Sequence, residues 1–211
     1  MKQIILMADI IGSRLADQQA LMHAFKGVVQ AANTMFESSL ISPLTITLGD
    51  EFQGIPDSIS TATNIIIFLE EAGIHQNNGF KLRYVVQEGA VDTEINTVRA
   101  YEMLGAGLTD ARFQLGKLKE SERRFFLSLE NQTLSELLNA AFLLFESIVD
   151  AWKPEKDYLL VSNFFTYKDY KKIAELLHKD RSLMWKREKS LNLAQYEAVK
   201  KIIASSINLC L

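Results

Sequence analysis

Cysteine and long apolar runs are scarce in this sequence. One of its 211 residues is cysteine, so neither an intrachain disulfide nor a cysteine-based zinc site can form. The longest strictly apolar run, residues 140–145, is far shorter than the ~20 residues that span a bilayer. The apolar run near the N-terminus stops at Asp9, which is too soon for a secretion signal. We therefore expect a soluble, cytoplasmic protein without a membrane partner.

Charge is distributed unevenly along the chain, although the formal net charge is only −3. Residues 1–167 contain 13 Lys/Arg and 21 Asp/Glu, whereas residues 168–211 contain 10 Lys/Arg and 5 Asp/Glu. A basic segment attracts polyanions through its local charge, whatever the net charge of the protein. The basic C-terminal segment is therefore either the solvated face of a helix pair or a surface for a polyanion.

Hydrophobic periodicity predicts an α+β fold with a mostly antiparallel sheet and helices on one face. The predicted strands cover residues 2–8, 44–48, 52–55, 80–87 and 123–129, and the predicted helices cover residues 17–36, 58–73, 106–119 and 132–152. A proline after the last of these helices marks a candidate boundary. Residues 1–152 are thus predicted to form an α+β domain, and residues 153–211 an all-α domain.

Two aspartates stand where predicted strands end. Asp9 follows a buried strand, and Asp50 follows a glycine at the tip of a predicted hairpin. If the two strands are neighbours, both carboxylates emerge at the same edge of the sheet. Mg²⁺ usually takes one or two carboxylates together with substrate phosphates, which makes this pair a candidate metal site. Alternatively, Asp9 caps the following turn and Asp50 is a turn residue.

The segment between these aspartates has features of a phosphate-binding turn. Gly12 and Ser13 predict a tight turn whose amides could cradle a phosphate at a helix start. Arg14 would add a compensating positive charge. Arg83, in a later strand, is expected to pair with an acidic neighbour rather than with a phosphate.

The basic C-terminal segment has helix-turn-helix spacing. Such a motif needs a small residue, a tight turn four residues later and an apolar contact about six residues beyond, and Ala174, His178 and Met184 occupy these places. The second helix would then present to DNA the polar side chains of Arg181, Ser182, Lys186, Arg187 and Lys189. A plain helical hairpin packed on the first domain explains the same apolar residues.

Three segments resemble motifs of class III nucleotide cyclases. They are residues 9–13 (DIIGS), residues 48–52 (LGDEF), which also resemble the central motif of diguanylate cyclases, and residues 105–112 (GAGLTDAR). The resemblance implies a ferredoxin-like, nucleotide-cyclase-type sheet. It also implies that Asp9 and Asp50 hold Mg²⁺ against a nucleotide triphosphate.

The base-reading and transition-state positions of the cyclases are not matched. Ile46 stands where adenylyl cyclases have a purine-selecting lysine. Thr109 replaces an asparagine, and Phe113 stands where an arginine belongs, with Arg112 one residue earlier. A misplacement of ~1 Å can cost on the order of a hundredfold in rate. The resemblance therefore leaves open whether the chain catalyses a reaction.

The cyclase-like segments followed by a helix-turn-helix-like end resemble the bacterial SatD family over nearly the whole chain. The most specific segments are residues 8–14, 48–54 and 105–112. This resemblance implies an architecture rather than a reaction. Our first hypothesis, taken from the candidate residues, is a regulatory protein that binds a nucleotide or an Mg²⁺–phosphate ligand through the cyclase-like part and contacts DNA through the helix-turn-helix-like end. The candidate metal ligands are Asp9, Ile10 and Asp50, and the candidate phosphate-binding residues are Ile11, Gly12, Ser13, Arg14 and Arg112.

Two other functions remain open at this point. One is a two-metal nucleotidyl or phosphoryl transferase that uses Asp9 and Asp50. The other is a catalytically inert cyclase fold that serves as an oligomerisation scaffold, for example in a homodimer.

Overall fold

A single mixed sheet organises the computed structural model, which describes residues 2–13 and 17–210. In chain order, the strands of these residues are β1 (Lys2–Ile10), β2 (Leu40–Ile46), β3 (Glu51–Pro56), β4 (Leu82–Ala90) and β5 (Phe125–Ser128). Their order in the sheet is β2-β3-β1-β4-β5. The pairing of β4 with β5 is parallel, and the other pairings are antiparallel. The mostly antiparallel sheet predicted from the sequence is thus confirmed.

The α-helices of the described residues are α1 (Gln18–Met35), α2 (Ile59–His75), α3 (Ala106–Lys119), α4 (Gln132–Val149), α5 (Leu159–Tyr167), α6 (Tyr170–Leu176), α7 (Arg181–Ser190) and α8 (Leu193–Cys210). Side-chain caps determine where several of them begin. Asp17, Ser58 and Asn131 each accept a hydrogen bond from an amide in the first turn of α1, α2 and α4, respectively, which satisfies donors that a helix leaves unpaired. The predicted helices agree with these elements to within a few residues.

The edge strand β2 begins several residues earlier than predicted. Its pairing with β3 contains two register shifts, on either side of Ser42, and the second of them includes Pro43. Proline cannot donate to a ladder and is tolerated at sheet edges and bulges. The prediction began after this proline, whereas the strand passes through it.

The central strand β1 is buried on both of its faces, because residues 5–10 are all buried. Leu6 and Ala8 pack in a cluster with residues of α1, α2 and α4, whereas Ile5 and Met7 pack in a second cluster with residues of α3. The prediction that the helices lie on one face of the sheet is therefore wrong. A strand that is apolar on both faces needs cover on both, and α3 supplies the second layer.

The C-terminal helices share a hydrophobic core with the sheet. One cluster of buried residues extends from β1 through α4 to α8. Where it reaches the C-terminal helices, the ring of Tyr196 lies 5.2 Å from that of Trp152 and 5.1 Å from that of Phe165. Trp152 also donates a hydrogen bond to the carbonyl of Leu191 at 2.9 Å. The division into domains 1–152 and 153–211 stays a prediction.

No helix within residues 2–13 and 17–210 combines the length and the apolar character that a bilayer crossing requires.

Two glycines allow α3 to lie directly against β4. A Cβ atom added at Gly89 would come within 2.5 Å of the Gly107 Cα atom, and one added at Gly107 would come within 2.6 Å of the Gly89 carbonyl carbon. The obstructing atoms are backbone, so neither element can yield by a side-chain rotation. This contact sets the distance between α3 and the sheet.

We expect Gly107→Ala to destabilise the protein by about 1–3 kcal/mol, the usual cost of overpacking a closely packed site. Gly116→Ala is the matched control in the same helix, because among the described atoms a Cβ there meets nothing within 4 Å. The control should be neutral or stabilising by up to about 1 kcal/mol, since alanine is the better helix former. Chemical denaturation measures both variants, and equal effects would contradict the close approach.

Candidate functional site

A row of charged residues crosses three neighbouring strands at the end of β1. The strand register places Asp9 opposite Glu51 of β3 on one side and opposite Arg83 of β4 on the other. Directly opposed residues point to the same face of a sheet, and this face is the one that α3 covers. Asp9 is 2% exposed and Glu51 is 7% exposed. The buried carboxylates therefore need positive partners nearby.

Helix α3 supplies two of those partners. Arg112 and Lys119 are seven residues apart, so they lie two turns apart on one face of the helix. Arg112 donates to Glu51 Oε2 at 2.6 Å, and Lys119 donates to Glu51 Oε1 at 2.9 Å. Lys119 Nζ also lies 3.2 Å from Asp9 Oδ2, and Arg83 Nη1 lies 3.4 Å from the same oxygen. The prediction that Arg83 pairs with an acidic neighbour is confirmed.

These five residues (Asp9, Glu51, Arg83, Arg112 and Lys119) are called the charged cluster below. Burial raises the pKa of Asp9 above its usual value, although Lys119 and Arg83 act in the opposite direction. Burial alone would lower the pKa of Lys119, but its hydrogen bond to Glu51 and the charge of Asp9 raise it overall. The buried atom Asp9 Oδ1 has no hydrogen-bond partner among the described residues.

The turn after β1 lies against the tip of the β2–β3 hairpin. The Ile10 amide donates to the Asp50 carbonyl at 2.9 Å, and Ser13 Oγ donates to Asp50 Oδ2 at 2.6 Å. The turn depends on Gly12, whose φ of 69° is in the left-handed region that glycine adopts without strain. Asp9 and Asp50 thus belong to neighbouring strand ends, as predicted, but their described side-chain contacts involve different partners.

The predicted phosphate-binding residues do not all have the same surroundings. The Ile11 amide donates to the Lys81 carbonyl at 2.9 Å, and the start of α1 is already capped by Asp17. Gly12 is exposed, and a Cβ placed on it would meet no described atom within 4 Å. Arg14 lies outside the described residues. Phosphate binding by these residues stays a prediction.

Of the carboxylate oxygens near the predicted metal site, some are free to bind a metal ion and others already have basic partners. The unpartnered Asp9 Oδ1 is the kind of oxygen that a hard cation would use. Asp9 Oδ2 and both Glu51 oxygens already face basic side chains. Among the residues that the structure describes, no group of three or more His, Cys, Asp or Glu could hold a metal ion. Metal binding by Asp9, Ile10 and Asp50 stays a prediction.

An open cleft lies beside the charged cluster on the α3 face. Its volume is about 470 Å³, and its lining includes Met7, Gln53, Leu104, Leu108, Arg112 and Phe113. Leu104 and Phe113 are strongly exposed for apolar residues. The cleft therefore combines an apolar wall with one guanidinium, a combination that suits a ligand with both an apolar and an anionic part.

Sequence reasoning missed Glu51 and Lys119 as members of this site. Glu51 follows a glycine–aspartate pair, and the turn signal of that pair points to Asp50 rather than to the residue after it. The position of Glu51 beside Asp9 depends on the register between β3 and β1, which the sequence of β3 does not contain. Lys119 lies two turns beyond Arg112. It belongs to the site only because α3 covers the face of the sheet to which Asp9 points, and the sequence does not show which face α3 covers.

The C-terminal residues singled out for DNA lie on and around α7. The turn between α6 and α7 contains His178 with a φ of 50°, and Ala174 and Met184 are buried on either side of it. Arg187 forms an ion pair with the buried Asp157 at 2.5 Å, and Arg181 pairs with Glu175 at 2.6 Å. The exposed residues on α7 include Arg181, Ser182, Lys186 and Lys189. A DNA-binding role for this helix stays a prediction.

The fold and the charged cluster together define a mixed α+β protein whose sheet ends in a site of paired acids and bases. The model of the SatD family matches residues 3–207 of the chain. The chain therefore belongs to the SatD family, and the resemblance noted in the sequence is confirmed. No curated protein matches the chain.

Several solved structures are similar to part of the chain. One is a bacterial light-regulated adenylyl cyclase, with 11% identity and a TM-score of 0.43 over 60% of this chain and 75% of that chain. Another is the catalytic core of a rhodopsin-guanylyl cyclase with converted specificity in complex with ATPalphaS, with 14% identity and a TM-score of 0.40 over 60% and 77%. A third is the guanylate cyclase domain of RhGC from Catenaria anguillulae in complex with GTP, with 11% identity and a TM-score of 0.38 over 60% and 78%.

The raised pKa of Asp9 predicts how Asp9→Asn changes stability with pH. When the pKa of a carboxyl is higher in the folded than in the unfolded protein, the protein loses stability as the pH rises from the unfolded to the folded pKa. Asparagine cannot ionise, so we expect Asp9→Asn to become more stable relative to wild type as pH rises above about 3.8.

Denaturation of both proteins between pH 3 and pH 7 measures this difference. Asp110→Asn, at an exposed position of α3, controls for the loss of one carboxylate. A stability difference between Asp9→Asn and wild type that does not change with pH would contradict the effect of burial on Asp9.

Proposed function

We propose that this SatD-family protein is a regulatory protein that binds a nucleotide or another phosphate-bearing small molecule at the end of its sheet. The site comprises the turn 11–13, the hairpin tip at Asp50 and the charged cluster. The observation that carries the proposal is the excess of basic over acidic groups in that cluster, with three cations around two carboxylates.

Two of the three cations are open to solvent. The side chains of Arg112 and Lys119 are 44% and 42% exposed, whereas that of Arg83 is 16% exposed. Arginine offers five N–H donors and lysine three, so neither is saturated by its carboxylate partner. A phosphate that approaches from solvent meets charge-assisted donors on one face of α3. The turn at Gly12, an exposed residue, lies at the same end of the sheet.

The neighbouring cleft would take the apolar part of the ligand. Met7, Leu108 and Phe113 form an apolar wall that adjoins Arg112. A planar base or another apolar group in the cleft would leave its phosphate within reach of that guanidinium. This arrangement favours a nucleotide over inorganic phosphate.

A magnesium ion is part of the prediction made from the sequence. In this form of the proposal, Asp9, through its unpartnered Oδ1, and Asp50 would hold the ion with Ile10 beside them, and stabilisation by a nucleotide would then require Mg²⁺. In the alternative form, the basic side chains of the cluster bind the phosphate without a metal ion. When bound, Mg²⁺ would neutralise phosphate oxygens of the ligand.

A chain of contacts connects this end of the sheet with the start of the C-terminal helices. The Lys81 carbonyl accepts from Ile11 in the turn, and Lys81 Nζ lies 3.1 Å from Asp150 at the end of α4. Asp150 in turn pairs with the buried Arg124. A ligand that reorders the turn would act through these contacts on the segment that precedes the C-terminal helices.

DNA is the proposed partner of those helices. Lys186 and Lys189 are exposed on α7, and within the described part of the chain neither has an ion-pair partner. Arg181 and Ser182 lie at the start of the same helix. Free lysines on an exposed helix neutralise DNA phosphates, and residues at a helix N-terminus can reach base edges. Arg187 instead secures α7 to the chain through Asp157.

Thermal unfolding with a panel of nucleotides, each with and without Mg²⁺, tests the ligand site. A ligand present at a hundred times its Kd adds about 2.7 kcal/mol of stability, and we expect at least one nucleotide to do so. Arg112→Gln should weaken this stabilisation, because it removes an exposed donor of the cluster.

Lys26→Gln is the matched control, since Lys26 is an exposed lysine of α1 and belongs neither to the charged cluster nor to the lining of the cleft. Stabilisation that survives Arg112→Gln unchanged would place the ligand elsewhere. The absence of stabilisation by any nucleotide would refute the proposed site.

The salt dependence of DNA affinity tests the role of α7. Each phosphate contact contributes a slope of about 0.9 to the dependence of log K on log salt concentration. The double variant Lys186→Glu/Lys189→Glu should therefore lower the magnitude of the slope by about 2. The double variant Lys26→Glu/Lys117→Glu makes the same change of net charge at exposed positions of α1 and α3. An equal loss in both double variants, or none in either, would exclude direct contact by α7.

A further inference from the structure

We infer that the ammonium group of Lys119 is the cation that Asp9 and Glu51 share, so that the charged cluster binds a phosphate-bearing ligand without a divalent metal ion. The part of this inference that concerns phosphate rests on the proposed function. The part that concerns the metal ion stands on the geometry of the cluster alone.

Lys119 occupies the position between the two buried carboxylates. Its Nζ atom lies 2.9 Å from Glu51 Oε1 and 3.2 Å from Asp9 Oδ2. One positive group thus bridges an oxygen of each acid, as a metal ion held by the same two residues would. Because Asp9 and Glu51 are opposed on neighbouring strands, Lys119 reaches both of them from a single position on α3.

The other cations of the cluster oppose the entry of a further positive ion. Arg83 Nη1 lies 3.4 Å from the same Asp9 oxygen that Lys119 contacts, and Arg112 Nη1 lies 2.6 Å from Glu51 Oε2. Like charges repel more strongly at a partly buried site than in water. A divalent ion that bridged Asp9 Oδ2 and Glu51 Oε1 would therefore have to displace Lys119, which would break both of its ion pairs.

The same arrangement suits an anion. The ammonium group of Lys119 carries three protons, and its two carboxylate partners occupy two directions. Its side chain is 42% exposed, so the remaining donor is accessible from solvent beside Arg112. A phosphate bound there would meet Lys119 and Arg112 directly, without a metal ion between them.

Removal of the Lys119 ammonium group would leave more carboxylate oxygens without a partner, in addition to Asp9 Oδ1. Asp9 is 2% exposed, and this oxygen has no hydrogen-bond partner among the described residues. Lys119→Gln would leave Asp9 and Glu51 with one less cation and with oxygens that a divalent ion prefers. The variant should therefore bind a divalent ion more tightly than the wild-type protein does.

Titration with Mn²⁺ alone tests this inference, with free Mn²⁺ followed by electron paramagnetic resonance. We expect the full-length Lys119→Gln protein to bind Mn²⁺ at least about tenfold more tightly than wild type, which corresponds to about 1.4 kcal/mol. Lys119→Arg keeps a cation in place and should bind no more tightly than wild type. Lys117→Gln, two residues away on the same helix, controls for the loss of a lysine. The double variant Asp9→Asn/Lys119→Gln should lose the gain.

Equal Mn²⁺ affinity in wild type and Lys119→Gln, whether tight or undetectable, would overturn the inference. A gain that persists in the double variant would also overturn it, because the ion would then not bind at Asp9. Lys119→Arg would overturn it as well if it bound Mn²⁺ as tightly as Lys119→Gln.

A second experiment separates this inference from the proposed function. Stabilisation of the wild-type protein by ATP, GTP or inorganic triphosphate is measured in EDTA and in Mg²⁺, and we expect the two conditions to give equal shifts. A strict requirement for Mg²⁺ would overturn the inference and leave the proposed function standing. No stabilisation in either condition would refute the proposed function, and the Mn²⁺ titration alone would then decide the role of Lys119.

Discussion

The Asp9 carboxylate is buried at the end of a strand that is otherwise apolar on both faces. Its burial constrains the basic side chains around it and the position of α3. A buried charge is costly unless it is paired, and the pairing comes from Arg83 on the next strand and from Lys119 on α3. Lys119 can reach Asp9 only because α3 lies against the sheet, where Gly89 and Gly107 allow the two backbones to touch. The position of a helix and the charge balance of the site therefore depend on each other.

The site at the end of β1 therefore contains both buried carboxylates and basic side chains. Asp9, one of the two acids that the cyclase-like motifs suggest as metal ligands, lies among basic side chains, and it shares three cations with the neighbouring Glu51. A site of this kind already contains the positive charge that a metal ion would bring. Arg112 and Lys119 lie on a face of α3 that is partly open to solvent. The cluster has one more positive than negative side chain, so an anion can bind to these two groups.

Much of the fold could be predicted because its signals are local. The apolar run of β1 and the helical spacing of α1 to α4 depend on residues within one element, and caps such as Asp17 act within one turn. The faces of the sheet cannot be assigned in this way, because α3 packs on the face opposite to α1, α2 and α4 through contacts between residues far apart in the chain. Within the site, Asp9 could be identified from the sequence, whereas Glu51 and Lys119 required the strand register and the position of α3.

The sequence by itself determined the order of the elements, the basic character of the C-terminal segment and the three segments that resemble the family. Only the tertiary structure decided which cation neutralises which acid. Arg187, for example, stood among the residues assigned to DNA, but it pairs with Asp157 thirty positions earlier. The physical reason is that periodicity and capping act over a few residues of chain, whereas an ion pair depends on the distance in space between groups that the chain brings together from far apart.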